Sequence, residues 1–159
     1  MGVIDVDELD WDVVDQAQLP IRRKHLAAAA GGTDLGCSLY ELGPGQSSWP
    51  YHYHTGNEEA MFVLDGSGTL RLDNETRQID AGTYVALPAA ESGGHQVSNT
   101  SDATLRYLMV STMEEPDVTV YPDSDKIGIY AGAPPGSAAD RSVEGYYRRK
   151  DRVEYWDGE

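Results

Sequence analysis

One cysteine, Cys37, is all the thiol chemistry this 159-residue chain offers. It has no partner for an internal disulfide and no companions for a thiolate metal site, so dithiol redox and zinc-finger functions fall away. Long apolar runs are missing too, none approaching the ~18–20 residues that a bilayer-spanning helix needs. Positive charge is scarce: 12 Lys and Arg stand against 27 Asp and Glu, a formal charge of -15. Without clustered base there is no extended grip on nucleic-acid phosphates. The opening MGVIDVDELDWDVVD is acidic where a secretory or transit segment would be basic. The expectation is a soluble, cytoplasmic protein with neither nucleic acid nor membrane as partner. What the chain does have is 40% hydrophobic and 25% charged residues over the length of one ordinary domain, enough to bury a core.

The first 20 residues read as a capping arm without strong structure, ended by Pro20. Residues 21–30, IRRKHLAAAA, are good helix formers stopped by Gly31-Gly32, which predicts a turn or short helix. From Cys37 the texture changes to short β-branched, aromatic and aliphatic stretches broken by Gly, Pro, Asn and Asp. Alternation predicts strands at 37–42, 48–54, 59–65, 68–73, 77–80, 83–88, 95–99, 104–111 and 117–121, with turns at Gly56-Asn57 and Asp73-Asn74-Glu75. Nine strands joined by short loops make an all-β, mostly antiparallel sandwich or barrel. Met61, Val63, Leu70, Leu72, Leu105 and Met109 are its expected interior, and Cys37 a small core residue. The stretch AGAPPGSAAD reads as a linker, and beyond it Arg141, Arg148, Arg149, Lys150 and Arg152 gather with four aromatics. The division expected is an arm over 1–34, a barrel over 35–131 and an extension over 132–159.

The chain has four histidines, and three fall into one pattern with a carboxylate. On a strand, residues i and i+2 share a face, so His52 and His54 direct two imidazoles into a common space while Tyr53 faces away. A short turn then brings Glu59, at the head of the next strand, toward them. His95, far along the chain, supplies a third imidazole if the sheet closes on itself. Three neutral nitrogens and one carboxylate suit Fe, Mn, Ni, Zn, Co or Cu as divalent ions, with positions left for water or substrate. Glu58 is the rival carboxylate. His25, beside Arg23 and Lys24, reads as exposed.

The segments HYHTGNEEAMFVLDGSG and GTYVALPAAESGGHQVSN resemble the two motifs of the cupin superfamily. The first family motif runs Gly, five residues, His-x-His, three or four residues, Glu, six residues, Gly; His52, His54, Glu59 and Gly66 match it. The second runs Gly, five residues, Pro-x-Gly, two residues, His, three residues, Asn; Gly82, Pro88, His95 and Asn99 match its ends. The departures lie in loops. Gly45 sits one residue too far from His52, Ala90 stands where Gly is expected, and two extra residues separate Pro88 from His95. The six-residue distance to Gly66 favours Glu59 over Glu58. The resemblance implies one cupin-type antiparallel jelly-roll barrel, residues 37–121 with flanking strands, holding a divalent ion in its mouth through His52, His54, Glu59 and His95.

A divalent ion so held acts as a Lewis acid or takes dioxygen beside a chelating substrate. The leading expectation is therefore a metal-dependent protein acting on a small polar or anionic metabolite, by dioxygenase or isomerase chemistry. The alternative is a non-catalytic metal-dependent small-ligand binder or sensor. Glu58, Tyr107 and His25 are weak candidates for proton transfer, so the catalytic residues stay open. Small cupins commonly dimerise, which makes a homodimer the expected assembly. The 16 Asp and 11 Glu against 9 Arg and 3 Lys are similar to the usage of salt-loving archaeal proteins.

Overall fold

The structure, a computed structural model, describes residues 2–14, 20–73, 75–137 and 139–159. Asn74 of the expected hairpin turn, residues 15–19 of the arm and residue 138 of the linker lie outside the described residues. Thirteen strands are found among the described residues: β1 (Asp12–Val14), β2 (Ile21–His25), β3 (Leu35–Leu42), β4 (Tyr53–His54), β5 (Glu59–Asp65), β6 (Ser67–Arg71), β7 (Thr76–Asp80), β8 (Tyr84–Leu87), β9 (Gln96–Ser98), β10 (Leu105–Thr112), β11 (Asp117–Tyr121), β12 (Lys126–Ala131) and β13 (Val143–Arg148), with one helical turn, α1 (Leu26–Ala29). No helix among them is long and apolar enough to cross a membrane.

Every strand pairing is antiparallel. One sheet has the order β1-β2-β3-β10-β5-β8; two smaller ones run β13-β12-β11-β4 and β7-β6-β9. The smaller sheets are joined where His52 faces His95, each donating its backbone N–H to the other's carbonyl at 3.2 and 2.9 Å. The result is the jelly roll expected from the sequence. Inner faces carry a core of Ile21, Tyr40, Leu42, Met61, Val63, Leu70, Ile79, Val97, Leu105 and Tyr107, with Leu72 and Met109 packed against it. The six expected apolar interior residues are thus all at the core, whereas Cys37, expected there too, is only part-buried and lines the cavity described below. Gly66, which ends the first motif, has φ +80, and a Cβ there would meet the Thr104 carbonyl oxygen at 2.3 Å. Only glycine fits between β5 and β6 at this point.

Two expectations need correction. Residues 21–25 form a strand, not a helix, with only 26–29 helical. Pairing with β3 and burial of Ile21 at 1% exposure outweigh the helix propensity of the segment. The expected strand at 48–54 shrinks to Tyr53–His54. Pro50 has no N–H to give a ladder, so this stretch touches its neighbour only at isolated points, Ser48 N–H to the Val97 carbonyl and the His52–His95 pair. Beyond the expected strands, β1 and β2 extend the large sheet, and β12 and β13 extend β11.

Candidate metal centre

β4 and the residue before it carry His52 and His54; the turn that follows is locked by Asn57, which is buried. Its Oδ1 accepts from Glu114 N–H at 2.8 Å and from the Thr112 hydroxyl at 3.1 Å, and its Nδ2 donates to the Glu114 carbonyl at 3.1 Å. That fixes where β5 begins and so where Glu59 points. The second motif ends at Asn99, whose amide donates to the carbonyls of Leu42 and Ala103 at 2.7 Å each. Between Pro88 and His95 the loop takes up its two extra residues in a single three-residue 3-10 turn (Glu91–Gly93). At Gly93 a Cβ would come within 1.9 Å of the Pro88 carbonyl oxygen, so the turn closes only on glycine. Ala90, at the position where the resembling motif has glycine, has φ 74 and ψ -172, a region residues other than glycine rarely enter.

The four expected side chains meet. Nδ1 of His52 lies 2.8 Å from the Pro50 carbonyl, and Nδ1 of His95 lies 2.9 Å from that of Gly93. A carbonyl only accepts, so Nδ1 carries the proton in both rings and Nε2 presents a lone pair. Nδ1 of His54 is held at 2.5 Å by Asp117 Oδ2. Its Nε2 is 3.7 Å from Glu59 Oε2, and His95 Nε2 is 3.5 Å from the same oxygen. Ligand atoms of His52, His54 and Glu59 all lie within 4.8 Å of one another, so this group is positioned to bind a metal ion. Bonds of ~2.0–2.2 Å to one ion require ligand atoms about 3 Å apart, which small side-chain adjustments reach from here. Glu58 is exposed and outside the group.

Electrostatics supports the neutral-ligand state of His52. Burial first, then the neighbouring His95 and His54, push its pKa well below the ordinary value. For His54 burial also opposes charge, but the bond to Asp117 and the nearby Glu59 outweigh it and raise the pKa. Burial alone would raise Asp117; its bonds from His54 and from Gly56 N–H, at 2.5 and 2.9 Å, hold it below the usual carboxylate value. Asp117 is the functional residue that sequence reasoning missed. It is fully buried on β11, whose alternate residues Asp117, Thr119 and Tyr121 face the imidazoles; Tyr121 stacks on His52 at 5.8 Å.

The group opens into a cavity of about 630 Å³ whose wall includes Arg23, His25, Tyr40, Tyr107, Tyr121 and Arg141. His25, expected at the surface, lines it because β2 is a strand. Tyr40 and Tyr107 stack at 5.2 Å and 7°. Burial pushes Tyr107 well up from its ordinary pKa and Tyr121 up to about 12, so both keep their protons at neutral pH.

A jelly roll with paired imidazoles and a carboxylate inside its mouth is the architecture of the cupins, and residues 38–111 match the family model described as Cupin domain. Over that stretch the chain is similar to the cupins. Among solved structures it is similar to a sugar phosphate isomerase of the cupin superfamily from Silicibacter pomeroyi, at 25% identity and TM-score 0.81 over 98% of each chain. It is also similar to a putative sugar phosphate isomerase from Acidithiobacillus ferrooxidans, at 26% identity and TM-score 0.79 over 94% of this chain and 92% of that one. A predicted oxalate decarboxylase from Thermotoga maritima shares the fold at 22% identity and TM-score 0.60, over 69% of this chain and 97% of its own. The first two similarities thus extend over the arm and tail as well as the barrel. No curated protein matches the sequence.

Proposed function

We propose that this protein is a metal-dependent enzyme acting on a small anionic metabolite, and that its reaction is an isomerisation of a phosphorylated sugar. The observation that carries the reading is the convergence on the Glu59 carboxylate, beside a cavity, of the Nε2 atoms of His54 and His95 at 3.7 and 3.5 Å and of a His52 ligand atom within 4.8 Å. The two full-length likenesses to proteins named as sugar phosphate isomerases support the choice of reaction.

In this reading His52, His54, Glu59 and His95 hold one divalent ion. When bound, the ion supplies Lewis acidity toward a carbonyl or hydroxyl oxygen of the substrate. The chain does the rest. Asp117 fixes the tilt of the His54 ring through Nδ1. Tyr121 and Tyr107, protonated at neutral pH, donate hydrogen bonds to oxygens of a bound polyol. The stacked Tyr40–Tyr107 pair excludes water from one wall. The acidic excess supports a cytoplasmic setting in a salt-loving archaeon. Exposed Tyr146, Tyr147, Tyr155 and Trp156 support a homodimer.

The test is metal analysis of protein purified without chelator, followed by incubation with aldose and ketose phosphates under NMR observation and with an oxygen electrode. About one divalent ion per chain and aldose–ketose interconversion without oxygen uptake are expected. Oxygen uptake assigns the site to oxygenase chemistry instead, and binding without turnover makes the protein a sensor.

A further inference from the structure

We propose that the cavity has a second pole, an anion seat built from Arg23 and His25 of β2, which takes the phosphate of the substrate while its other end reaches the histidine–glutamate group. This rests on the reading above. The register carries the geometry. Arg23 lies opposite Tyr40, Tyr40 opposite Tyr107, and Tyr107 opposite Val63; His25 lies opposite Ser38, Ser38 opposite Met109, and Met109 opposite Met61. Residues paired across strands share a face, and Glu59 is two residues before Met61 on that face. Arg23, His25 and Glu59 therefore look into one cavity from strands three places apart, about 14 Å at ~4.8 Å per strand. Side chains reaching inward from both ends leave room for a short phosphorylated polyol between them, above the Tyr40–Tyr107 pair.

Charge points the same way. In a chain of formal charge -15, two guanidiniums line the cavity, Arg23 and Arg141. Arg141 is occupied by its own loop: Nε donates to the Ala133 carbonyl at 3.2 Å, Nη2 to the carbonyls of Pro134 and Ser137 at 3.0 and 3.3 Å, and Nη1 to Glu144 at 3.1 Å. Arg23 is differently held. Its Nε donates to Asp12 Oδ2 at 2.7 Å, Tyr40 is its cross-strand neighbour, and the guanidinium lies 5.3 Å over the Trp49 ring. The same Asp12 oxygen is 3.3 Å from His25 Nε2, and Ser38 Oγ is 3.5 Å from His25 Nδ1. Asp12 thus tethers both side chains from the solvent edge of the sheet. A guanidinium that lines the cavity from such a tether suits a phosphate, which accepts paired charge-assisted bonds.

The experiment is calorimetric titration of the purified protein with a hexose 6-phosphate, the free hexose and inorganic phosphate, alongside the Arg23→Gln and Asp12→Asn variants. Wild type is expected to bind the hexose 6-phosphate roughly tenfold or more tightly than the free hexose. Arg23→Gln should erase that preference with metal content and free-hexose affinity unchanged. Asp12→Asn, which removes the counter-charge and leaves Arg23 and His25 in place, should tighten inorganic phosphate binding, and it reports on the seat if the Arg23 variant fails to fold. A preference that survives Arg23→Gln, a loosened phosphate in Asp12→Asn, or a wild type without phosphate preference overturns the seat. Phosphate preference without isomer interconversion overturns the proposed reaction and leaves the seat standing; interconversion with the preference intact in Arg23→Gln does the reverse.

Discussion

Asp117 shows how much of the centre depends on a residue that touches no ion. Its carboxylate holds His54 and also accepts from Gly56 N–H, at the start of the turn leading to Glu59. Asp117→Asn keeps the size and loses the charge; metal affinity, read by competition against a chelator, should fall roughly tenfold to a hundredfold. Ala90 is a second point of leverage. Its strained backbone N–H donates to the His54 carbonyl at 2.7 Å, so relaxing it touches the same edge of the site. Ala90→Gly should raise stability by about 1 kcal/mol in denaturant titration, since the cost of an L side chain at φ 74 exceeds the added freedom of glycine in the unfolded chain. His52, His54, Glu59 and His95 were legible because coordination restricts both residue type and spacing. Asp117 was not, because residues 117–121 alternate polar with Val, and a reader sends the valines inward. Here the polar face turns in, toward imidazoles that only the folded chain brings near.

The elements read from alternation are the ones whose alternation faces the core. β3, β5 and β10 fall within a residue or two of their expected bounds, since each has a buried side and a strong period. β2 was hidden by its lysine and arginines, which are good helix formers. Lys24 is buried all the same, its Nζ donating to the Val6 carbonyl at 2.7 Å and lying 4.7 Å over the Trp11 ring. β12 and β13, on either side of the AGAPPGSAAD linker, were not read as strands because glycines and tyrosines interrupt their alternation. These two strands carry Tyr130 and Tyr146, whose hydroxyls meet at 2.7 Å. Burial, and then the bond to Tyr146, raise Tyr130 above its ordinary pKa of 10.0. The sign follows: below pH 10 folded and unfolded chains both keep the proton and the full stability is present. Above it the unfolded tyrosine ionises while the folded one does not, so stability declines as pH rises. Tyr130→Phe should flatten that decline, read as denaturation midpoints on either side of pH 10.

Over the whole molecule, 27 carboxylates against 12 bases set a self-repulsion that no pair of strands can relieve. Several of the bases are already engaged, Arg106 with the buried Glu41 at 2.6 Å and Arg71 with Asp123 at 2.6 Å among them, and exposed pairs such as Arg71–Asp123 contribute little in water. At molar salt the screening length shrinks to about 3 Å and the repulsion fades. The denaturation midpoint should therefore climb between dilute buffer and molar potassium chloride; a midpoint that stays level would remove the salt-adapted reading. The reciprocal backbone bonds between His52 and His95 carry a different consequence. They zip the two halves of the cage together through main chain alone, within a barrel that has its own apolar core. An ion held there would be a lodger and not a rivet: after treatment with a strong chelator the chain is expected still to melt cooperatively, and loading would be an exchange at a finished socket, unlike small zinc domains that collapse when emptied.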